Sequence, residues 1–283
     1  YTLYVHEVEN TFVQAKANIH IEGLTPVAEV DGVKYALLTE AFAAAKDGET
    51  VKLLADHTTD WDAVDAGDEL MAVVKKILTL DLNGKTVDYL VVGEVVPDEE
   101  GGILESTEGN LTIKDSGLGS VGTVSSLQLE KGKLTIEGGE IGEAGKTTSF
   151  VCSDETGEVN IQGGKVWYFG CEGGTANITG GTVYQLSVKK GVVNVSNGTS
   201  HGGWNNDSTN YDSATWSVNG GTLNITGGMF GKVRFNYTGG NIDLSGGTFQ
   251  SISNSNASAS APVMSLLADG YAFYGKDESG EYT

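Results

Sequence analysis

One eight-residue unit, apolar-x-apolar-x-Gly-Gly-x-apolar, recurs along the chain and leaves it few ways to fold. It reads LTIEGGEI from Leu134, VNIQGGKV from Val159, ANITGGTV from Ala176, LNITGGMF from Leu223 and IDLSGGTF from Ile242. Weaker copies are LDLNGKTV from Leu80, LTIKDSGL from Leu111 and VNVSNGTS from Val193. A second half lies upstream of the unit, with two alternating apolar positions and then a glycine. Examples are Leu127, Leu129 and Gly132; Phe169, Cys171 and Gly174; Leu186, Val188 and Gly191; Trp216, Val218 and Gly221; Phe235, Tyr237 and Gly240.

Period-2 alternation specifies strands, and glycine at one fixed offset specifies a corner that needs either a left-handed backbone or a close approach. Asn83-Gly84 and Asn197-Gly198 meet the same need, because asparagine tolerates the left-handed region. Each coil is therefore expected to hold a short strand, a tight turn, a second strand, a Gly-Gly corner and a third short strand. Coils stacked about 4.8 Å apart bury Leu, Ile and Val in columns, and each coil leans on its neighbours. The expected fold class is all-β: a three-sheet parallel β-helix, or β-solenoid, of about eight coils. A glycine-rich β-sandwich gives no reason for a corner at one fixed offset.

A solenoid has two open ends, and both are expected to be closed. LLTEAFAAAKDG, from Leu37 to Gly48, reads as a short capping helix with Thr39 at its N-cap, Phe42 and Ala45 on one face, and Gly48 past its end. After Ser251 the repeat is lost, and VMSLLADG and YAFYG read as a small apolar cap followed by the exposed turn KDESGEY. The expected organisation is lead-in strands or the remnant of a preceding module over 1–26, an N-terminal cap over 27–60, coils over 61–252 and a C-terminal cap over 253–283. A chain opening at Tyr1 without methionine reads as a fragment of a longer multidomain protein.

Composition narrows the function classes. Glycine supplies 41 residues without a G-x-y period, and the 39% apolar share is too high for a disordered linker. Seventeen basic against 38 acidic residues leave a net charge of −21, a field that repels nucleic acid and anionic membrane surfaces. No apolar run reaches the roughly 18–20 residues of a membrane span. An acidic, lysine-poor, glycine-rich surface suits an extracellular or cell-surface location, and no cofactor is expected.

The string VDGVKYALLTEAFAAAKDGETVKLLAD, the strand LTLDLNGKTV and the ITGGT coils resemble the right-handed, pectin-lyase-like β-helix modules of large Gram-positive surface proteins. The resemblance covers roughly residues 27–275. It implies right-handed coiling and a role in adhesion or surface display. Relatives of that fold also include polysaccharide lyases and glycoside hydrolases.

Aligning the coils sorts the polar side chains. Thr135, Asn160, Asn177, Asn194, Asn224 and Asp243 form one outward column, and Glu137, Gln162, Thr179, Ser196, Thr226 and Ser245 the next; both are expected to be solvated faces. The position just past each corner carries Trp167, Tyr184 and His201, with Tyr168 beside them. These rings are expected to form an exposed stripe, joined by Trp204, Asp207 and Tyr211 from the long insertion after His201. Aromatic faces with Asn and Asp nearby suit sugar rings. The competing reading is a ladder that only stiffens the stack.

An enzyme needs more. Asp207 and Asp212 are the only pair worth testing as hydrolase carboxylates, with His201 nearby. Arg234, the sole arginine, is expected on an exposed strand position with no carboxylates clustered around it. Trp216 is expected in the core. Cys152 and Cys171 share an inward column if the turn after Cys152 is two residues longer than the norm, either as buried thiols or as a disulfide. No metal site is expected there, and the acidic segment DWDAVDAGDE lacks the calcium-loop spacing and reads as an exposed loop, with weak calcium binding as the alternative. The chain therefore reads as a non-catalytic, adhesin-like surface module with a glycan or host surface protein as partner. A carbohydrate-active enzyme and a purely structural stalk are the alternatives.

Overall fold

The computed structural model describes residues 3–6, 12–15, 25–66, 71–99, 102–143, 150–200, 214–254 and 263–275. The fold is all-β, with two short helices, α1 (Leu38–Ala44) and α2 (Trp61–Ala66), and a 3-10 turn over Val263–Leu266. Among the described residues twenty strands join one large sheet, and from Ile77 onward every pairing within it is parallel. Strands Leu3–His6 and Phe12–Ala15 pair with each other in antiparallel fashion, as do Glu94–Pro97 and Ile103–Thr107.

The repeat sets the register. Leu111, Leu134, Val159, Ala176, Val193, Leu223 and Ile242 are successive partners in one ladder, so seven of the eight unit starts stack as the sequence aligned them. The eighth is two residues out: Leu78, not Leu80, pairs with Leu111. The reason is a wider corner. Strand Ile77–Asp81 runs into a turn in which Lys85 N–H reaches Leu82 O at 2.8 Å, so alignment on the glycine misplaces the strand. At this corner Asn83 takes φ 48°, as its type permits, whereas Asn197 stays out of the left-handed region and Gly198 alone carries φ 112°.

Two more inward rows complete the interior. One runs through Val87, Val124, Ile141, Val166 and Val183. The other runs through Leu90, Leu127 and Phe150, then through Phe169, Leu186, Trp216 and Phe235. All these side chains are buried, Trp216 at 1% exposure, and they form one continuous core. Burial at about 25 cal/mol per Å² of apolar surface is what holds coil on coil. In strand Lys165–Cys171 the inward residues are Val166, Phe169 and Cys171, so strict alternation skips a beat and leaves Trp167 and Tyr168 both outward.

Carboxylates brace the corners. Asp81 accepts N–H bonds from Asn83 and Ser116, and Asp115 accepts them from Gly84, Gly117 and Gly122. Asp154 accepts from Gly132 N–H, Thr156 N–H and Lys131 Nζ. Burial alone would raise the Asp154 carboxyl. The Gly132 and Thr156 hydrogen bonds and the Lys131 charge outweigh it and hold its pKa below the ordinary value.

Helix α1 differs from expectation at its start. Leu37, not Thr39, occupies the N-cap and no side chain caps it, because Leu38 has to be helical to bury completely. The other end is better served: Lys76 Nζ donates to the carbonyls of Phe42, Ala43 and Ala45 at 3.3, 2.7 and 2.8 Å. At the far end of the stack Leu266 is buried and Leu267 bridges to Leu244.

Cys152 and Cys171 are register partners, both buried and both free thiols. Cys152 to Val159 spans two residues more than Cys171 to Ala176, which are the corresponding segments of neighbouring coils. The longer turn over 153–157 absorbs the difference and lets the sulfurs share one column.

Candidate functional site

The aromatic residues past the corners do stack. Trp167 and Tyr184 lie with ring centroids 4.1 Å apart at an interplanar angle of 24°, the spacing that one coil of a parallel ladder imposes. The Trp167 indole N–H donates to Glu140 Oε1, and Lys165 Nζ lies 5.4 Å from the Trp167 ring centroid. One coil earlier, past the Ile141–Val166 pair, the matching position is Gly142, so the stack begins at Trp167. Tyr184 does not belong to an exposed stripe: only 8% of it is accessible, while Trp167 and Tyr168 are half-buried. His201, Trp204, Asp207, Tyr211 and Asp212 lie outside the described residues.

A neighbouring row went unnoticed in the sequence. Tyr168 pairs with Gln185, Gln185 with Thr215, Thr215 with Arg234 and Arg234 with Ser253, all outward. The parallel column runs Gln128, Val151, Gly170, Ser187, Ser217 and Asn236. None of these eleven residues is a carboxylate, in a chain that carries 38 of them. Arg234 is exposed on this strip, about 14 Å along it from Tyr168 at one strand spacing per coil. The signal was present in the sequence as the residues four and six before the upstream glycines Gly174, Gly191, Gly221 and Gly240, but only pairing shows that they share a face.

The Asn column differs from the solvated face expected of it. Asn224 Nδ2 donates to Asn194 Oδ1 at 2.9 Å, Asn194 to Asn177 at 3.1 Å and Asn177 to Asn160 at 3.1 Å. Asn160 Nδ2 then donates to Glu158 Oε1 at 2.7 Å. That hydrogen bond, with the one from Lys133, holds the Glu158 carboxyl below its ordinary pKa. Amides about 4.8 Å apart bond to one another along the stack, which occupies one N–H of each and one oxygen lone pair of Asn160, Asn177 and Asn194.

A crevice of about 480 Å³ runs beside the first coils, lined by residues that include Asp47, Lys75, Lys76, Glu108, Lys133 and Glu158. Its cations are already engaged: Lys75 with Glu94 at 2.5 Å, Lys133 with Glu158 at 2.9 Å and Lys76 with the carbonyls ending α1. Among the described residues no group of three or more His, Cys, Asp or Glu side chains is placed to hold a metal ion, and no helix is long and apolar enough to cross a membrane.

Compared with known proteins, the chain matches no family, no curated protein and no solved structure.

Proposed function

We propose that this chain is a right-handed, three-sheet parallel β-helix module of the pectin-lyase-like kind. On this reading it is displayed outside the cell and binds glycan without chemically changing it. The three inward rows would be the three faces of the helix. The observation that carries the binding reading is the carboxylate-free strip through Tyr168, Gln185, Thr215 and Arg234, flanked by the Trp167–Tyr184 stack. A sugar presents C–H faces to an aromatic ring and hydroxyls to amide, hydroxyl and guanidinium groups, and a strip without carboxylates lets those groups act without competition from internal ion pairs.

The enzyme reading draws less support. The buried and half-buried aspartates Asp81, Asp88, Asp115 and Asp154 spend their oxygens on backbone N–H groups, so their hydrogen bonds hold the corners of the stack. The test is a glycan array probed with the whole chain and with Arg234→Gln and Tyr168→Ala. Binding that falls at least tenfold in both variants, with melting temperatures within 2–3 °C of the parent (roughly 1 kcal/mol), supports the reading. A blank array favours the stalk, and shortened or unsaturated sugars recovered after incubation favour the enzyme.

A further inference from the structure

The cysteine pair carries an inference of its own, independent of the glycan surface. Cys152 and Cys171 sit in neighbouring coils as direct register partners, at 1% and 0% exposure. Both sulfurs turn toward one atom: Cys152 Sγ lies 3.7 Å and Cys171 Sγ 3.2 Å from Gly173 O. Two further carbonyl oxygens complete the surroundings, Asp154 O at 3.9 Å from Cys152 Sγ and Lys190 O at 3.4 Å from Cys171 Sγ.

The ladder spacing decides what such a pair can hold. A disulfide brings its β-carbons to about 3.5–4.5 Å, closer than the roughly 4.8 Å that parallel stacking sets. Metal–thiolate bonds of about 2.3 Å separate two sulfurs on a linear ion by about 4.6 Å, close to the roughly 4.8 Å between paired strands. Four-coordinate zinc would need two further strong ligands, and here the remaining neighbours are carbonyl oxygens, which bind soft ions weakly.

We propose that Cys152 and Cys171 form a two-coordinate site for a thiophilic d10 cation of the Cu(I), Ag(I) or Hg(II) type, bridging two adjacent coils. On binding, two S–H bonds break, two S–metal bonds form and two protons leave to solvent, with no change in oxidation state. Lys190, whose carbonyl contacts Cys171 Sγ, belongs to a corner where its own side chain and that of Lys189 are exposed.

The experiment titrates the whole reduced chain with mercuric chloride at pH 7. One Hg(II) bound per chain, two protons released per ion, near-ultraviolet sulfur-to-mercury absorption and a higher melting temperature are the expected results. Cys171→Ser should release one proton per ion and bind at least 100-fold more weakly. Two ions per chain, no uptake, or a lower melting temperature at one equivalent overturns the proposal, and so does a disulfide found in protein that was never reduced. Should Cys171→Ser fail to fold, the proton count and stoichiometry of the parent chain decide the matter alone.

Discussion

Gly174→Ala probes the physical core of this fold most directly. Gly174 has φ 66°, a left-handed conformation that costs an L-residue about 1–2 kcal/mol. A methyl group there would stand 2.3 Å from Gly157 O and 2.8 Å from Asp154 O, both backbone atoms of the preceding coil. Gly157 O accepts the Thr175 N–H bond at 2.9 Å, and Asp154 O accepts that of Gly157 at 3.2 Å, so neither carbonyl can retreat without loosening a backbone hydrogen bond. Overpacking of this kind adds about 1–3 kcal/mol. The expected loss is therefore about 2–5 kcal/mol in total.

Gly48→Ala is the matched control. Gly48 has φ 84° but nothing within 4 Å of the added carbon, so only the backbone cost of about 1–2 kcal/mol remains. Urea unfolding followed by circular dichroism and by tryptophan fluorescence measures both variants, and the two probes have to coincide before free energies are compared. Equal losses for the two variants would refute the claim that glycine is required at these corners by contact between coils.

Two further outcomes follow from the polar interactions. Asn194→Ala removes two links of the amide ladder and should cost about 1–3 kcal/mol in the same unfolding assay, whereas Thr179→Ala, an exposed corner position, should stay within about 0.5 kcal/mol. Asp154 has a depressed pKa in the folded chain, so its contribution is complete above the unfolded value of about 3.9 and is lost as pH falls through the folded pKa; Asp154→Asn should flatten the acid limb of a stability–pH profile, and an unchanged limb would place the acid sensitivity elsewhere.

The parallel stack was legible because two periodicities coincide in the chain. Leu134, Val159, Ala176 and Val193 alternate with polar residues and stand at a constant offset from their corner glycines, and the strands that carry them share the same local rule. The cysteine column was legible for the same reason, once its longer turn was counted. Register failed at Leu80, where a corner of different length broke the offset, and at the end of the unit begun at Leu111, where Leu118 is exposed and Val124 takes the inward row.

The candidate surface was much less legible. Trp167 and Tyr184 could be placed one above the other, but Tyr184 burial depends on what else packs beside it. Arg234 and Tyr168 are 66 positions apart in the chain and share a row only because three intervening coils have particular lengths.

By itself, then, the sequence determined the strand periodicity, the corner positions and the side of each strand that faces inward, since these depend on φ, on Cβ and on alternation within a few residues. Only the tertiary structure decided which polar groups satisfy one another. The asparagine amides, the corner aspartates and the lysines of the crevice find partners in neighbouring coils as well as in their own turns, and the distance to the former is a property of the stack, not of any segment within it.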